Sequence, residues 1–282
     1  VSRDDFMLEQ AEIYPEYGFD IHKGYGTKAR TRIMGIINLT PDSFYKDSRM
    51  SSTDAAMAQI KQMIDNGADA VDIGACSTRP GFTAISAEEE IKRLEAVLPA
   101  IRAEYPDLLI SIDTFVPQVA EHCLKEWHVD IINDISGGSQ EMYRIAAMYG
   151  ATYILTYNKE IKEDVASEMV EFFRLKISEL HNIGLNKVIA DPGFGFSKTL
   201  EQNYQALNCM DSLHSMGCET LVGVSRKSMI YKVLHCTPQE ALNGTTVLHT
   251  WAVQHKASWL RVHDVKEAVE CVKLIKMIND NS

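Results

Sequence analysis

The stretch LLISIDTFVPQVAEHCLKEWHVDIINDISGGSQEMYRIAAMYGATYILT, residues 108–156, decides the fold. It holds three short apolar, β-rich runs, LLISID (108–113), DIIN (130–133) and TYILT (152–156), separated by longer segments of helical period. Strands buried on both faces read as near-continuous apolar runs, and their alternation with helices gives a parallel sheet with crossover helices. The pattern continues in both directions, with IMGIIN (33–38) and AVDIGA (70–75) before it and KVIAD (187–191), TLVGVS (220–225) and SWLRVH (258–263) after it. Between these runs lie segments such as AAMAQIKQMIDNG (55–67), EEEIKRLEAVLPAI (88–101) and EAVECVKLIKMI (267–278), whose apolar residues recur every three to four positions. Eight strand–helix units in 282 residues predict an α/β fold, a single-domain (β/α)8 TIM barrel, which typically takes about 250 residues. Residues 1–32 do not follow the repeat and read as an N-terminal extension or hairpin, leaving 33–282 for the barrel.

A net charge of -11 argues against a surface built to collect nucleic-acid phosphates, so an anionic ligand must be met locally. No run of about 18 apolar residues exists to cross a membrane, and the acidic start VSRDDFMLEQ has no signal-like apolar core, so a cytoplasmic protein is expected. The six cysteines form no C-x-x-C pair, and no H-E-x-x-H or Cys/His cluster offers a zinc site.

A barrel brings all its strand ends to one rim, where active sites of this fold sit. Those ends are polar here: Asn38, Cys76 to Arg79, Asp113, Asn133, Thr156, Asp191, Ser225 to Lys227, and Arg261 with His263. Either acid alone reads first as a helix cap, since Asp caps well. Asp113, Asp191 and Asn133 together make a donor and acceptor set suited to the amide and amidine edge of a flat, nitrogen-rich heterocycle. Arg261 and His263, one residue apart on a strand, face the same side and suit a diphosphate, with Arg79 and Lys227 adding charge. Asn38 has about even odds of merely starting a turn before Pro41; its alternative is one oxygen ligand to a diphosphate-bound Mg2+. The connections 39–53 and 76–90 are long enough to act as lids over this rim.

The strings MGIINLTPDSF, DIGACSTRPG, SIDTF, NDISGG, DPGFGF, GVSRKS and RVHDV, in that order from about Arg32 to Val265, closely resemble the dihydropteroate synthase family of pterin-binding barrels. The resemblance implies condensation of 6-hydroxymethyl-7,8-dihydropterin diphosphate with p-aminobenzoate, Mg2+ as cofactor, small-molecule partners only and a homodimer. It implies a pterin pocket of Asp113, Asn133, Asp191 and Lys227, and a diphosphate and metal site of Asn38, Arg79, Arg261 and His263. Thr78, Pro80, Phe196 and Ser228 take the place of the p-aminobenzoate contacts, with Phe44 on the first loop. After the fifth strand the family often reads Met-His-Met, whereas this chain reads LTYNKEIKEDV (155–165), so Thr156 stands where a flexible apolar side chain is expected near the pterin. The competing readings are a corrinoid-dependent methyltransferase, which needs neither the STRPG loop nor a diphosphate cradle, a pterin-binding paralogue without turnover, and a generic phosphate-binding barrel isomerase.

Overall fold

The computed structural model of the chain describes residues 30–39, 52–76 and 85–281. Its eight strands are β1 (Arg32–Asn38), β2 (Ala70–Gly74), β3 (Leu109–Asp113), β4 (Ile131–Asp134), β5 (Thr152–Thr156), β6 (Val188–Asp191), β7 (Glu219–Val222) and β8 (Trp259–Val262). Each pairs in parallel with its neighbours, and β8 returns to β1, which closes the barrel. The expected strands therefore all form, within a few residues of their predicted ends. Residues 1–29 lie outside the described residues, and Arg32, assigned to the extension, opens β1.

Helices α1 (Ser52–Asp65), α2 (Ala87–Glu95), α3 (Leu98–Glu104), α4 (Pro117–Trp127), α5 (Gln140–Met148), α6 (Val165–Asn182), α7 (Leu200–Asn208), α8 (Met210–His214), α9 (Ser228–Leu234), α10 (Leu242–Gln254) and α11 (Val265–Asp280) cover the outside. The single helix expected over 88–101 is two, α2 and α3. Pro99 lies in the first turn of α3 and cannot donate to the preceding turn, so the helix restarts there. Ser86, Ser139, Asp164 and Thr199 cap α2, α5, α6 and α7 by accepting from backbone N–H groups of the first turn.

Successive strand side chains alternate between the helix layer and the barrel axis. One layer of axial residues, Met34, Ala70, Ile131, Ile154, Ile189, Leu221 and Trp259, is buried as a separate apolar cluster, with Leu109 packed against it. Below it, Trp259 Nε1 donates to Glu219 Oε2 (2.8 Å), Arg32 pairs with Glu219, and the Arg32 guanidinium lies 4.0 Å from the centre of the Trp259 ring. The N-terminal end of the barrel is thus packed, as the fold requires.

Candidate active site

Two residues further along the strands, the axial positions change from apolar to polar: Asp72, Ser111, Asn133, Thr156, Asp191 and Arg261. Asp72 is completely buried and accepts from Ser111 Oγ (2.5 Å), Asn133 Nδ2 (3.0 Å) and Arg261 Nε (2.6 Å). Arg261 Nη2 donates to Asp113 Oδ2 at 2.7 Å. A buried carboxylate persists only when paired and hydrogen-bonded, and three other strands here supply the partners of one acid. Asp72 is not among the residues expected from the sequence, because it lies inside its strand and not at the polar end. Its signal was present, however: an ionisable residue in the middle of the apolar run AVDIGA.

Asp113 does not cap a helix. The N-cap of α4 is Val116, and the Asp113 carboxylate turns inward to Arg261 instead. Burial pushes its pKa up to about 7, against the pull of Arg261 and with help from the nearby Asp72 charge. Burial likewise raises Asp191, opposed chiefly by Lys227. Lys227 is lowered to about 8, by burial first, with Asp191 resisting. For Arg261 burial disfavours the charge, but Asp72 and Asp113 outweigh it and hold the guanidinium above its ordinary value. Arg261 is therefore a cation already engaged by two acids; what it can offer a further anion is its remaining N–H donors.

The loop after β6 is shaped by close approach. Asp191 Oδ1 accepts from Gly193 N at 2.8 Å, and a Cβ on Gly193, at φ +69°, would lie 2.2 Å from the Tyr157 carbonyl. Only glycine fits that turn. Lys227 reaches the same loop by donating to the Phe194 carbonyl, and its ammonium lies 4.8 Å from the centre of the Phe196 ring. Lys198, also missed in the sequence because a loop lysine reads as surface charge, donates to the carbonyls of Tyr157 (3.1 Å), Gly193 (3.1 Å) and Phe196 (3.3 Å). It clasps the β6 loop to the end of β5. Asn158 adds a second tie, accepting from Ser197 Oγ and donating to the Ile135 carbonyl, both at 2.9 Å.

On the neighbouring strands, Arg226 makes a two-pronged bond to Asp264 (2.8 and 2.9 Å) and donates to the carbonyls of Pro238 and Gln239. It binds the loops after β7 and β8 together, so in the string SRKS the first cation is structural. Lys227 directly precedes α9, whose first residue is the half-buried Ser228. His263 accepts or donates at Nδ1 to Ser225 Oγ (3.0 Å). It is exposed at the rim, yet the protein packed against its ring and the charge of Arg261 hold its imidazole below the ordinary value. Asn38 ends β1 exposed; a Cβ placed on Gly74 would be 3.8 Å from both Asn38 Oδ1 and Asp113 Oδ2, so these oxygens border one gap.

Three buried polar atoms of this set have no hydrogen-bond partner among the described residues: Asp113 Oδ1, Asn133 Oδ1 and Thr156 Oγ1. Each belongs to the axial face of a different strand. The structure thus gathers Asn38, Asp113, Asn133, Asp191, Phe196, Lys227, Ser228, Arg261 and His263 at one end of the barrel. Phe44, Thr78, Arg79 and Pro80 lie outside the described residues, as do most of the two expected lids.

Along most of its length the chain is similar to known proteins. Residues 34–263 match the family described as pterin binding enzyme. A dihydropteroate synthase of Clostridium beijerinckii is 37% identical over 265 residues, covering 91% of this chain and 97% of that protein. The Bacillus subtilis dihydropteroate synthase is 34% identical over 256 residues, 88% of each chain. Among solved structures, the Clostridium difficile dihydropteroate synthase with pteroic acid superposes with a TM-score of 0.84 at 34% identity, covering 90% of this chain and 98% of that one. The Xanthomonas albilineans enzyme in complex with 7,8-dihydropteroate gives 0.81 at 30% identity, covering 89% and 94%. A closed parallel barrel with acids, an asparagine and a lysine converging at its C-terminal mouth, together with these whole-length likenesses, establishes that the chain belongs to the dihydropteroate synthases within the pterin binding enzyme family.

Proposed function

We propose that the chain joins 6-hydroxymethyl-7,8-dihydropterin diphosphate to p-aminobenzoate through the residues described above. The reaction forms 7,8-dihydropteroate and releases pyrophosphate. It is a transferase of folate biosynthesis. The observation that carries the assignment of the pocket is the set of unpartnered buried oxygens on Asp113, Asn133 and Thr156. A buried polar atom without a partner is unfavourable by roughly 1–3 kcal/mol, so a ligand rich in N–H groups is favoured there over an apolar one. Asp113, Asn133 and Asp191 hold the ring edge and Lys227 faces the ring beside Phe196.

The diphosphate lies toward Arg261, His263, Asn38 and Arg79. Its charge raises the affinity of His263 for a proton, opposing the burial that lowers it. Asn38 would supply one neutral oxygen to Mg2+; such a donor fits an ion held mainly by substrate phosphates, and would not by itself hold a metal tightly. When bound, the ion neutralises charge on the departing pyrophosphate.

The carbon–oxygen bond to the diphosphate breaks with its electrons going to pyrophosphate, leaving a cationic methylene on the pterin. Asp113 and Asp191 stabilise that charge from the barrel interior. The amine of p-aminobenzoate, held against Phe196 and Ser228 with Thr78 and Pro80, forms the new carbon–nitrogen bond and loses one proton. The protein contributes position, exclusion of water and fixed charge, with no covalent enzyme intermediate.

Val247 and Trp251 are exposed along a groove of about 400 Å3 between α7 and α10, which supports a homodimer formed through outer helices. No helix among the described residues is long and apolar enough to cross a membrane, and the free thiols of Cys123, Cys209, Cys218, Cys236 and Cys271 support a reducing, cytoplasmic setting. The deciding experiment is turnover of the purified chain with both substrates, with and without Mg2+. Metal-dependent formation of dihydropteroate and pyrophosphate is expected; pterin binding with no product would leave the paralogue without turnover as the correct reading.

A further inference from the structure

Thr156 closes β5 on the axial face, opposite Asp191 in the strand register and one strand from Asn133. It is fully buried, and its hydroxyl has no partner among the described residues. Its methyl packs on the β6 turn, where a Cβ on Gly193 would come within 3.0 Å of Thr156 Cγ2. That turn therefore holds the methyl and makes no use of the hydroxyl. Valine would fill the same space without leaving an oxygen unpaired, so packing alone gives no reason for threonine.

The two other unpartnered oxygens in this layer, on Asp113 and Asn133, are carbonyl-type or carboxylate oxygens, and a hydroxyl differs from them in being able both to donate and to accept. From this juxtaposition we infer that Thr156 is a specificity-determining residue of the pterin pocket, its hydroxyl hydrogen-bonding a polar atom of the bound ring. The inference rests on the pterin reading proposed above and narrows it. A ring that presents C–H or a methyl group at the matching position leaves the hydroxyl buried and unpaired, and is rejected for that reason.

The test is calorimetric titration of 6-hydroxymethylpterin into the whole chain and its Thr156→Val and Thr156→Ser variants, alongside steady-state kinetics. Thr156→Val is expected to raise the pterin Kd, and the KM for the pterin diphosphate, by roughly tenfold, while the KM for p-aminobenzoate stays within about twofold. Thr156→Ser keeps the hydroxyl and is expected to bind within about threefold of the parent. The melting temperature of the valine variant should equal or exceed that of the parent, which separates lost recognition from lost folding. Equal or tighter pterin binding by Thr156→Val overturns the inference, as does a parallel loss of both KM values with a lowered melting temperature. If the valine variant does not fold, the serine variant and Thr156→Ala carry the same comparison. Failure of the parent chain to bind the pterin at all would sink the pterin reading itself, an outcome distinct from an unchanged valine variant.

Discussion

Two layers of the barrel interior sit about 7 Å apart along the same eight strands and have opposite chemistry. The lower one, from Met34 round to Trp259, is closed and apolar. The upper one holds Asp72, Asn133, Thr156, Asp191 and Arg261, with unpartnered oxygens left among them. The lower layer has nothing left to bond, whereas the upper layer is incomplete by itself. The difference teaches that one strand can close the core at one residue and leave polar atoms unmet two residues later, so that under the proposed function stability and recognition would separate by depth.

The sharpest way to break this division is Asp72→Ala. Asp72 belongs to the polar layer but is the shared partner of Ser111, Asn133 and Arg261, so its removal should cost both properties: about 3–5 kcal/mol of stability and on the order of 100-fold or more in kcat/KM. Denaturant unfolding and steady-state kinetics measure the two, and a variant normal in either would show that Asp72 is not the common anchor. One layer down, Ile154→Ala should lower stability by about 2–5 kcal/mol and leave both KM values of the folded fraction unchanged. A raised KM for the pterin alone would mean that the layers are not separable.

The smallest effect concerns pH. Asp113 holds its proton up to about 7 in the folded protein, higher than in an unfolded chain. Its contribution to stability is therefore unfavourable above the unfolded value near 4, and grows as the pH rises to about 7. Activity should move the other way: under the proposed mechanism the ionised form stabilises the pterin cation, so kcat/KM should climb with pH up to about 7 and then level. Asp113→Asn should flatten that limb, and a limb that survives the substitution belongs to another group.

The strands were legible because each is a short apolar run bounded by turn residues, and so were the polar ends that gather at the mouth. Pro99 was in plain view within a periodic segment, and the restart of the helix there follows from its missing N–H. What stayed hidden was pairing. Arg261 looks in the sequence like an open fork for phosphate, yet its nearest acid, Asp72, is 189 positions away and comes to it only through closure of the barrel. Lys198 gave no periodic or motif signal for a clasp on three carbonyls, because the carbonyls that it joins come from two separate loops.

Among the described residues, the packing of Arg32 over Trp259 and Glu219 closes one end of the barrel and leaves the other as its doorway. Under the proposed function, a ring seated at the depth of Asn133 and Thr156 would be roofed over by whatever settles next at the height of Phe196 and Ser228. On the proposed function, depth would then set the order of traffic, the pterin entering before its partner and the joined product leaving by the same mouth.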